Sequence, residues 1–443
     1  MKIKIKNLSI ICFVAAGMFF WSCDNESSEK FGTEYDPNKE VEIHDFEPDG
    51  GGLATKVFIT GSNFGTDLSK IEVKFGDIPA TVVNSTGEYL YVYSPKQDDG
   101  FNAITVTTHD RVAQPTGEAV GKKFKYSVNW VVRTLSGRKG TPAFKPGTLN
   151  TAEFHNPSTL VADMDGNIFL SHWRQPYCVI RVSERDDVAE VLLPANAANS
   201  SYTACGAPTV DADGIVSAIS DWGTAYFTFN PIEGWAPRDR TIYNDGSYQG
   251  STMHSLAAHP ITGNLYTRGY GSGHIISIDK NTRIATFESE SLNNSDSYCV
   301  FDPKNPNLLY IAYDGADCIG LYDLEQKKHV VFAGAASISG YQDGPLTQAR
   351  FRRPSQMIVA PNGNLYVADR GNHCIREIIL PNEEEGIPGM VRTIIGKGGM
   401  AGYQDGNPDD ALFNEPRGVA VLPDGTMYIA DYENNVIRKL TKE

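Results

Sequence analysis

Two stretches near the C-terminus repeat one another at a spacing of 62 residues. Gly340-Tyr341-Gln342-Asp343-Gly344, Phe351, Pro354, Gly363, Tyr366-Val367-Ala368-Asp369 and Ile375-Arg376 return as Gly402-Tyr403-Gln404-Asp405-Gly406, Phe413, Pro416, Gly425, Tyr428-Ile429-Ala430-Asp431 and Ile437-Arg438. A period of this size describes an array of like units that bury their apolar faces against one another. Each copy is a run of short β-rich segments separated by Asn-Gly, Asp-Gly and Asn turns, the pattern of one antiparallel sheet and not of a helix pair. A radial array of such sheets is a β-propeller.

With the Asn/Asp-Gly turn as ruler, related positions fall at Gly166, Gly214, Gly263, Asn307, Gly363 and Gly425, spaced by 48, 49, 44, 56 and 62 residues. Each precedes a strand-like run, so six blades are expected. An open last sheet would expose an unpaired edge. Val391-Arg392-Thr393-Ile394-Ile395-Gly396, ahead of the last blade, is echoed by Val132-Arg133-Thr134-Leu135-Ser136-Gly137. Residues 130–136 are therefore expected to complete the sixth blade from the N-terminal side. The last two units share F-x-x-P, P-[ND]-G-x-[LM]-Y-[VI]-A-D and N-x-x-I-R, which resembles the NHL repeat. The first unit keeps Phe154, Pro157, Asp165-Gly166 and Phe169, while the middle three have drifted.

The N-terminus is of another kind. Lys2, Lys4 and Lys6 precede an apolar run over 8–21, too short for a bilayer span of roughly 20 residues, and it ends at Ser22-Cys23. Residues 1–22 read as a signal peptide, and the small residue before Cys23 resembles a bacterial lipobox, which implies lipidation of Cys23. Phe20 and Trp21 depart from the usual lipobox residues. Asp24-Asn25-Glu26 resembles the export tag of surface lipoproteins, which implies anchorage in the outer membrane facing the cell exterior. Residues 23–40 read as a tether. Loss of three lysines with the leader takes the formal charge from −15 to −18, and with no basic cluster, nucleic acid is excluded as a partner. Beyond the leader and Cys23, five cysteines remain: Cys178, Cys205, Cys299, Cys318 and Cys374. An odd number without CxxC spacing fits buried thiols, with room for one bridge.

Residues 41–127 carry short alternating runs at 43–48, 56–65, 71–77, 80–83, 89–95 and 103–107, the spacing of an antiparallel sandwich of the immunoglobulin-like class. Gly61-Ser62-Asn63-Phe64-Gly65, followed by Val73-Lys74-Phe75-Gly76, resembles the IPT/TIG family. Its members act as spacers, dimerisation modules or binding modules, and of these a spacer is expected. The fold class is thus all-β: an IPT/TIG-like sandwich followed by a six-bladed NHL-type propeller over 128–443.

In such propellers the residues after each second strand lie around the central channel. They are His172-Trp173, Asp221-Trp222, Tyr270, Tyr313-Asp314, Asp369-Arg370 and Asp431-Tyr432. Rings beside carboxylates, a guanidinium and an imidazole suit a sugar, because rings stack on C–H faces while polar groups bind hydroxyls. The ligand candidates are His172, Trp173, Asp221, Trp222, Tyr270, Tyr313, Asp314, Arg370 and Tyr432; packing against a neighbouring loop is the alternative role. Asp369 and Asp431 belong to the repeat itself and are read as caps of their own turns. Tyr248, Tyr341 and Tyr403 are candidates for the rim. Six-bladed relatives include metal-dependent lactonases and a zinc lyase. At the inner-strand starts, Pro157, Cys205, His254, Tyr298, Pro354 and Pro416, only His254 offers a metal ligand, with His155 or His172 as helpers. No cofactor is expected, and no GxSxG, HExxH or phosphate loop occurs.

The order of parts resembles surface lipoproteins of polysaccharide-utilisation systems, which hold glycans beside an outer-membrane importer. It implies a non-catalytic binder of oligo- or polysaccharide, touching the membrane through its lipid alone. The alternatives are a propeller hydrolase or lyase acting on a carbohydrate or lactone, and a protein-interaction propeller that docks on the importer.

Overall fold

The computed structural model describes residues 32–443, apart from 53–54, 96, 173–176, 195–203, 222, 248–251, 303 and 383–388, and leaves the side chains of 177–178 undescribed. The leader, Cys23, Trp173, Trp222 and Tyr248 lie outside the described residues. The chain divides into two compact units, 1–127 and 128–443, and no described helix is long and apolar enough to cross a membrane.

The first unit is built from strands that alternate buried and exposed residues. A five-stranded sheet runs Gln114–Pro115, Glu42–Glu47, Lys56–Ser62, Tyr89–Tyr93 and Thr81–Ser85, and a second runs Arg111–Val112, Ile104–Thr108, Ile71–Phe75 and Ile78–Pro79. Val57, Ile59, Val73, Phe75, Leu90, Val92 and Val106 are fully buried, as period-two patterning requires. Gly61 is glycine for want of space: a Cβ there would stand 2.1 Å from the Glu42 carbonyl oxygen. Residues 33–39, read above as part of the tether, instead lie along the sandwich. Asn63 donates to the carbonyls of Asp36 and Lys39 at 2.8 and 2.9 Å, and Tyr35 stacks on His109 with ring centroids 4.1 Å apart.

The second unit contains six sheets among the described residues, antiparallel except that a short fifth strand, Tyr243–Asn244, adds parallel to the outside of the third; Gly344–Pro345 adds antiparallel to the outside of the fifth. From innermost strand outward, the first is Leu160–Ala162, Ile168–Ser171, Tyr177–Ser183 and Val188–Pro194; the second is Thr209–Val210, Val216–Ile219, Ala225–Phe229 and Pro237–Thr241. The third is Ala257–Ala258, Leu265–Arg268, His274–Ile278 and Ile284–Glu290; the fourth is Ser297–Phe301, Leu308–Tyr313, Cys318–Asp323 and Lys328–Gly334. The fifth is Pro354–Val359, Leu365–Asp369, Cys374–Ile379 and Met390–Ile395. The sixth is Pro416–Val421, Met427–Asp431, Val436–Lys442 and, from the other end of the unit, Trp130–Gly137. That last strand pairs antiparallel with Val436–Lys442, from Trp130 opposite Lys442 to Gly137 opposite Val436.

Each innermost strand touches the next, and Pro416–Val421 touches Leu160–Ala162. Apolar clusters fill the spaces between consecutive sheets: one joins Ala368, Ile375 and Phe413 to Val132, Val419 and Ile429, and another joins Ala420 and Tyr428 to Leu160 and Leu170. The inner strands of the fifth and first sheets are also joined, over that of the sixth. The Gln356 side chain accepts from Leu160 N at 2.9 Å and donates to Leu160 O at 2.7 Å, passing over Gly418. A Cβ on Gly418 would meet Ser158 O at 2.7 Å and Gln356 Oε1 at 3.0 Å, so only glycine admits the bridge.

The 62-residue repeat has a physical explanation here. Arg376, fully buried, donates to Asp369 Oδ2 at 2.6 Å, to Asp343 Oδ1 at 2.6 Å and to Gln342 O at 2.8 Å, between the rings of Tyr341 and Phe351. Arg438 repeats each contact on Asp431, Asp405 and Gln404, between Tyr403 and Phe413. Asp369 also accepts from Arg352 N, and Asp431 from Asn414 N, so both aspartates serve their own repeat. Burial lifts their carboxyls to about 6 against the pull of the arginines and the hydrogen bonds. The outer strands complete the motif: Thr393 Oγ1 meets Tyr341 Oη at 2.8 Å, and Thr134 Oγ1 meets Tyr403 Oη at 2.7 Å. The Val-Arg-Thr echo is thus an echo of position, with Thr134 standing where Thr393 stands one sheet earlier.

Cys205, Cys299, Cys318 and Cys374 are buried as thiols.

Candidate functional site

One backbone hydrogen bond recurs in five sheets. A residue at the end of the second strand donates its N–H to a carbonyl at the entry of the inner strand: Asp221 to Ala204 (3.1 Å), Tyr270 to Thr252 (2.8 Å), Asp314 to Asp296 (3.0 Å), Gly371 to Arg352 (2.8 Å) and Glu433 to Asn414 (3.0 Å). This bond brings the turn after each second strand and the entry of each inner strand to one end of the array, so two sets of side chains converge there.

The convergent groups are mostly charged. His254, on the entry to the third sheet, has Nε2 3.1 Å from Asp221 Oδ1 and Nδ1 3.0 Å from Asp296 Oδ1. Burial alone would lower the pKa of this imidazole; the two carboxylates outweigh it and raise it to about 9, so His254 is an imidazolium at neutral pH. Burial pushes the Asp296 carboxyl up, but the bond to His254 and the fields of Arg417 and Arg370 leave it below the ordinary value. Arg370, 2% exposed, lies 3.1 Å from Asp314 Oδ2 and 3.3 Å from Glu415 Oε2, and Arg353 lies 3.2 Å from Asp314 Oδ1. Arg417 stacks on the Tyr432 ring, 3.9 Å from its centroid. Tyr298 lies fully buried beneath the group, its hydroxyl pushed up to about 12 by burial. Of these residues Asp296, Asp314 and Arg353 line a cleft of about 370 Å³, together with Tyr270, Asn294 and Asp317 among others.

Several candidates read from the sequence meet here. Asp221 holds His254, Tyr270 is 38% exposed with its ring 5.6 Å from the His254 ring, and Asp314 joins Arg353 to Arg370. Others have different roles. Tyr313 is a core residue of the fourth sheet, fully buried, with its hydroxyl 2.8 Å from His329 Nε2. Inward-facing strand positions take whatever ring fills the space between sheets, and the sequence does not mark which face Tyr313 occupies. His172 is buried near Phe144, and Tyr432 is buried under Arg417. Tyr341 and Tyr403 form the arginine sandwiches of the repeat, with their hydroxyls taken up by Thr393 and Thr134, and Tyr341 remains exposed. His254, the candidate metal ligand, has both ring nitrogens directed at carboxylates, Nε2 at Asp221 and Nδ1 at Asp296. Among the described residues no group of three or more His, Cys, Asp or Glu side chains is arranged to hold a metal ion.

Four charged residues were missed: Asp296, Arg353, Glu415 and Arg417. The inner-strand positions singled out in the sequence, Tyr298, Pro354 and Pro416, are their near neighbours. A signal existed, since Arg353-Pro354 and Glu415-Pro416-Arg417 place charge beside the repeat's own proline. In the repeat alone, however, those charges look like ordinary solvated turn residues.

The chain matches the IPT/TIG domain model over residues 42–120 and the NHL repeat model over 351–378 and 413–440. It is 30% identical over 99 residues to Protein SUPPRESSOR OF QUENCHING 1, chloroplastic, of Arabidopsis thaliana, and the matched part spans 9% of that protein against 22% of this chain. Among solved structures, a protein of unknown function from Bacteroides thetaiotaomicron is 25% identical, with a TM-score of 0.62, and is covered completely by 93% of this chain. An auxiliary nutrient binding protein from Bacteroides ovatus is 24% identical with a TM-score of 0.68, at the same coverages. These likenesses extend through both units and establish the shared fold.

Proposed function

The chain carries an IPT/TIG domain and NHL repeats, and on that premise we propose that it is a non-catalytic binder of a hydroxyl-rich nutrient, a glycan, taken at the charged end of its second unit. The six sheets are read as six blades of a propeller, with Trp130–Gly137 supplying the outer strand that closes the ring. The observation that carries the function is the convergence of Tyr270, Asp296, Asp314, Asp317 and Arg353 around one cleft, with Asp221 behind it on His254. An exposed ring beside fixed donors and acceptors offers a sugar its C–H face and its hydroxyl partners together. Solved structures of the same two-part fold bear the name auxiliary nutrient binding protein, which accords with this reading. The leader and Cys23 support display on the outer membrane by a lipid anchor, facing outward, with the sandwich as spacer and an importer as partner.

A glycan array followed by calorimetry on each hit tests the proposal. Binding without product formation is expected, and Tyr270→Ala is expected to weaken it about tenfold, the loss of one stacked ring. Release of cleaved sugar would make the protein a hydrolase or lyase, and absence of any saccharide ligand would leave a protein-docking role.

A further inference from the structure

We propose that a crevice between the second and third sheets is a second binding site, for a small organic molecule that carries an oxyanion, and that Arg240 and Arg283 hold the oxyanion. The basis begins in the repeat. Three residues on from Gly166, Gly263, Asn307, Gly363 and Gly425, the second strand of five sheets carries a ring: Phe169, Tyr266, Tyr310, Tyr366 and Tyr428. These rings face the sheet that follows. Phe169 lies against Trp235 with centroids 4.7 Å apart, Tyr266 lies against Phe301 at 5.2 Å, and the Tyr428 hydroxyl donates to Glu184 Oε1 at 2.6 Å. Tyr310 and Tyr366 pack in apolar clusters shared with the fifth and sixth sheets. Counted in the same way from Gly214, the second sheet carries Ser217. Where the ring is missing, a crevice of about 510 Å³ opens against the third sheet, lined in part by Ile215, Ser217, Tyr226 and Leu265. Its volume is that of a small-molecule site. Its edges are the turns between first and second strands, at Asp211 and Gly263, and between third and fourth strands, at Lys280 and Arg283. Strands alternate in direction, so these turns lie at the opposite end from the cleft beside Tyr270.

The polar groups of the crevice indicate the charge of the ligand. Ser217 and Tyr226 are 5% and 4% exposed, yet both line the crevice and neither hydroxyl has a hydrogen-bond partner among the described residues. Four cations and three carboxylates line it as well. Arg238 lies 3.0 Å from Glu233 Oε2, and Lys280 lies 4.0 Å from Asp213 Oδ2. Asp211 closes its own turn by accepting from Asp213 N and Ile215 N, and Asp279, next to the crevice, does the same for Asn281 N and Thr282 N. Arg240 and Arg283 have no described carboxylate within ion-pair distance: Arg240 Nε donates to Thr228 Oγ1 at 3.4 Å, and Arg283 lies over the Tyr243 ring, 5.2 Å from its centroid. Arg240 stands opposite Tyr226 in strand register. Burial pushes the Tyr226 hydroxyl up and the fields of Arg240 and Arg283 draw it down, which places both guanidiniums near it. Two guanidiniums beside free hydroxyls offer an oxyanion charge-assisted hydrogen bonds from several sides. The apolar part of the same molecule takes the space of the missing ring, over Ile215 and Leu265.

The test is calorimetry on the full chain with phenyl phosphate, benzoate and the neutral benzyl alcohol, at low and moderate salt. At least one anionic probe is expected to bind about ten or more times tighter than the alcohol, with the difference shrinking as salt rises; which of the two binds better separates a phosphate from a carboxylate ligand. Ser217→Tyr, which restores the ring that five sheets carry, should abolish binding without lowering the melting temperature. Arg240→Gln combined with Arg283→Gln should bring the anionic probe to the level of the alcohol, and it carries the test should the tyrosine variant not fold. Equal binding of anionic and neutral probes, an anionic preference that survives the arginine substitutions, undiminished binding in a folded Ser217→Tyr chain, or failure of every probe to bind overturns the inference. The glycan reading stands or falls separately, on the glycan array and Tyr270→Ala, because its cleft lies at the other end of the strands.

Discussion

At the residue scale, the most informative side chain is His254. In an unfolded chain its imidazole titrates near 6.5; in the fold, held between Asp221 and Asp296, it titrates at about 9. A folded pKa above the unfolded one contributes stability that is complete below pH 6.5, declines as pH rises and is gone above about 9. Taken at face value the shift corresponds to about 3 kcal/mol. The melting temperature of the second unit should therefore fall steadily between pH 6.5 and 9, and His254→Gln should remove most of that slope while lowering stability at pH 6.5. The Asp369 and Asp431 carboxyls, raised to about 6, act in a separate window: they cost stability as pH rises from about 4 to 6, below the range in which His254 titrates. An equal slope in wild type and variant would mean that His254 is not an imidazolium at neutral pH. None of this was legible in the sequence, where His254 stood out only as an isolated histidine at an inner-strand start. Its partners come from positions 221 and 296, on the sheet before it and the sheet after it.

At the scale of elements, the strand Trp130–Gly137 carries the most weight for its length. It gives the last sheet its outer strand, and its Thr134 receives Tyr403 and Asp405 as Thr393 receives Tyr341 and Asp343. Val132 adds two backbone bonds to Gly406, at 2.7 and 3.0 Å, and Arg133 pairs with Glu443. Deleting residues 128–136 should expose the edge of Val436–Lys442, remove Val132 from the cluster around Phe413, and replace one cooperative unfolding transition by a broad, earlier one in urea. A truncated chain with the midpoint and steepness of the intact one would show that the second unit does not depend on this strand. The echo of Val391-Arg392-Thr393 makes this element legible from the residue letters, because strand pairing in a repeat preserves the residues that face the repeat's fixed partners. The tether was less legible. Its polar, Gly- and Pro-containing composition resembles a linker, yet Asn63 captures two of its carbonyls.

At the scale of the whole molecule, the proposal of display outside the cell rests on the expected leader, Cys23 and the order of parts. Metabolic labelling with palmitate should mark the wild-type chain and spare Cys23→Ser, and proteinase added to intact cells should remove the wild-type second unit. A chain that resists proteinase until the outer membrane is opened would be periplasmic, and the proposal of surface display would fall.

The class of fold, the repeating sheet, the turn positions and the strand that joins the two ends are all written in the order of residues. They depend on local periodicity and on residues that a turn or a ladder needs wherever it occurs. Which charges meet is a matter of tertiary packing. Arg353, Arg370, Arg417, Asp314 and Glu415 come from three successive sheets, and their pairing follows from the angle and closeness at which those sheets converge. A one-dimensional pattern records that each is charged; only packing determines that Asp314 serves both Arg353 and Arg370 while Arg417 lies over the Tyr432 ring.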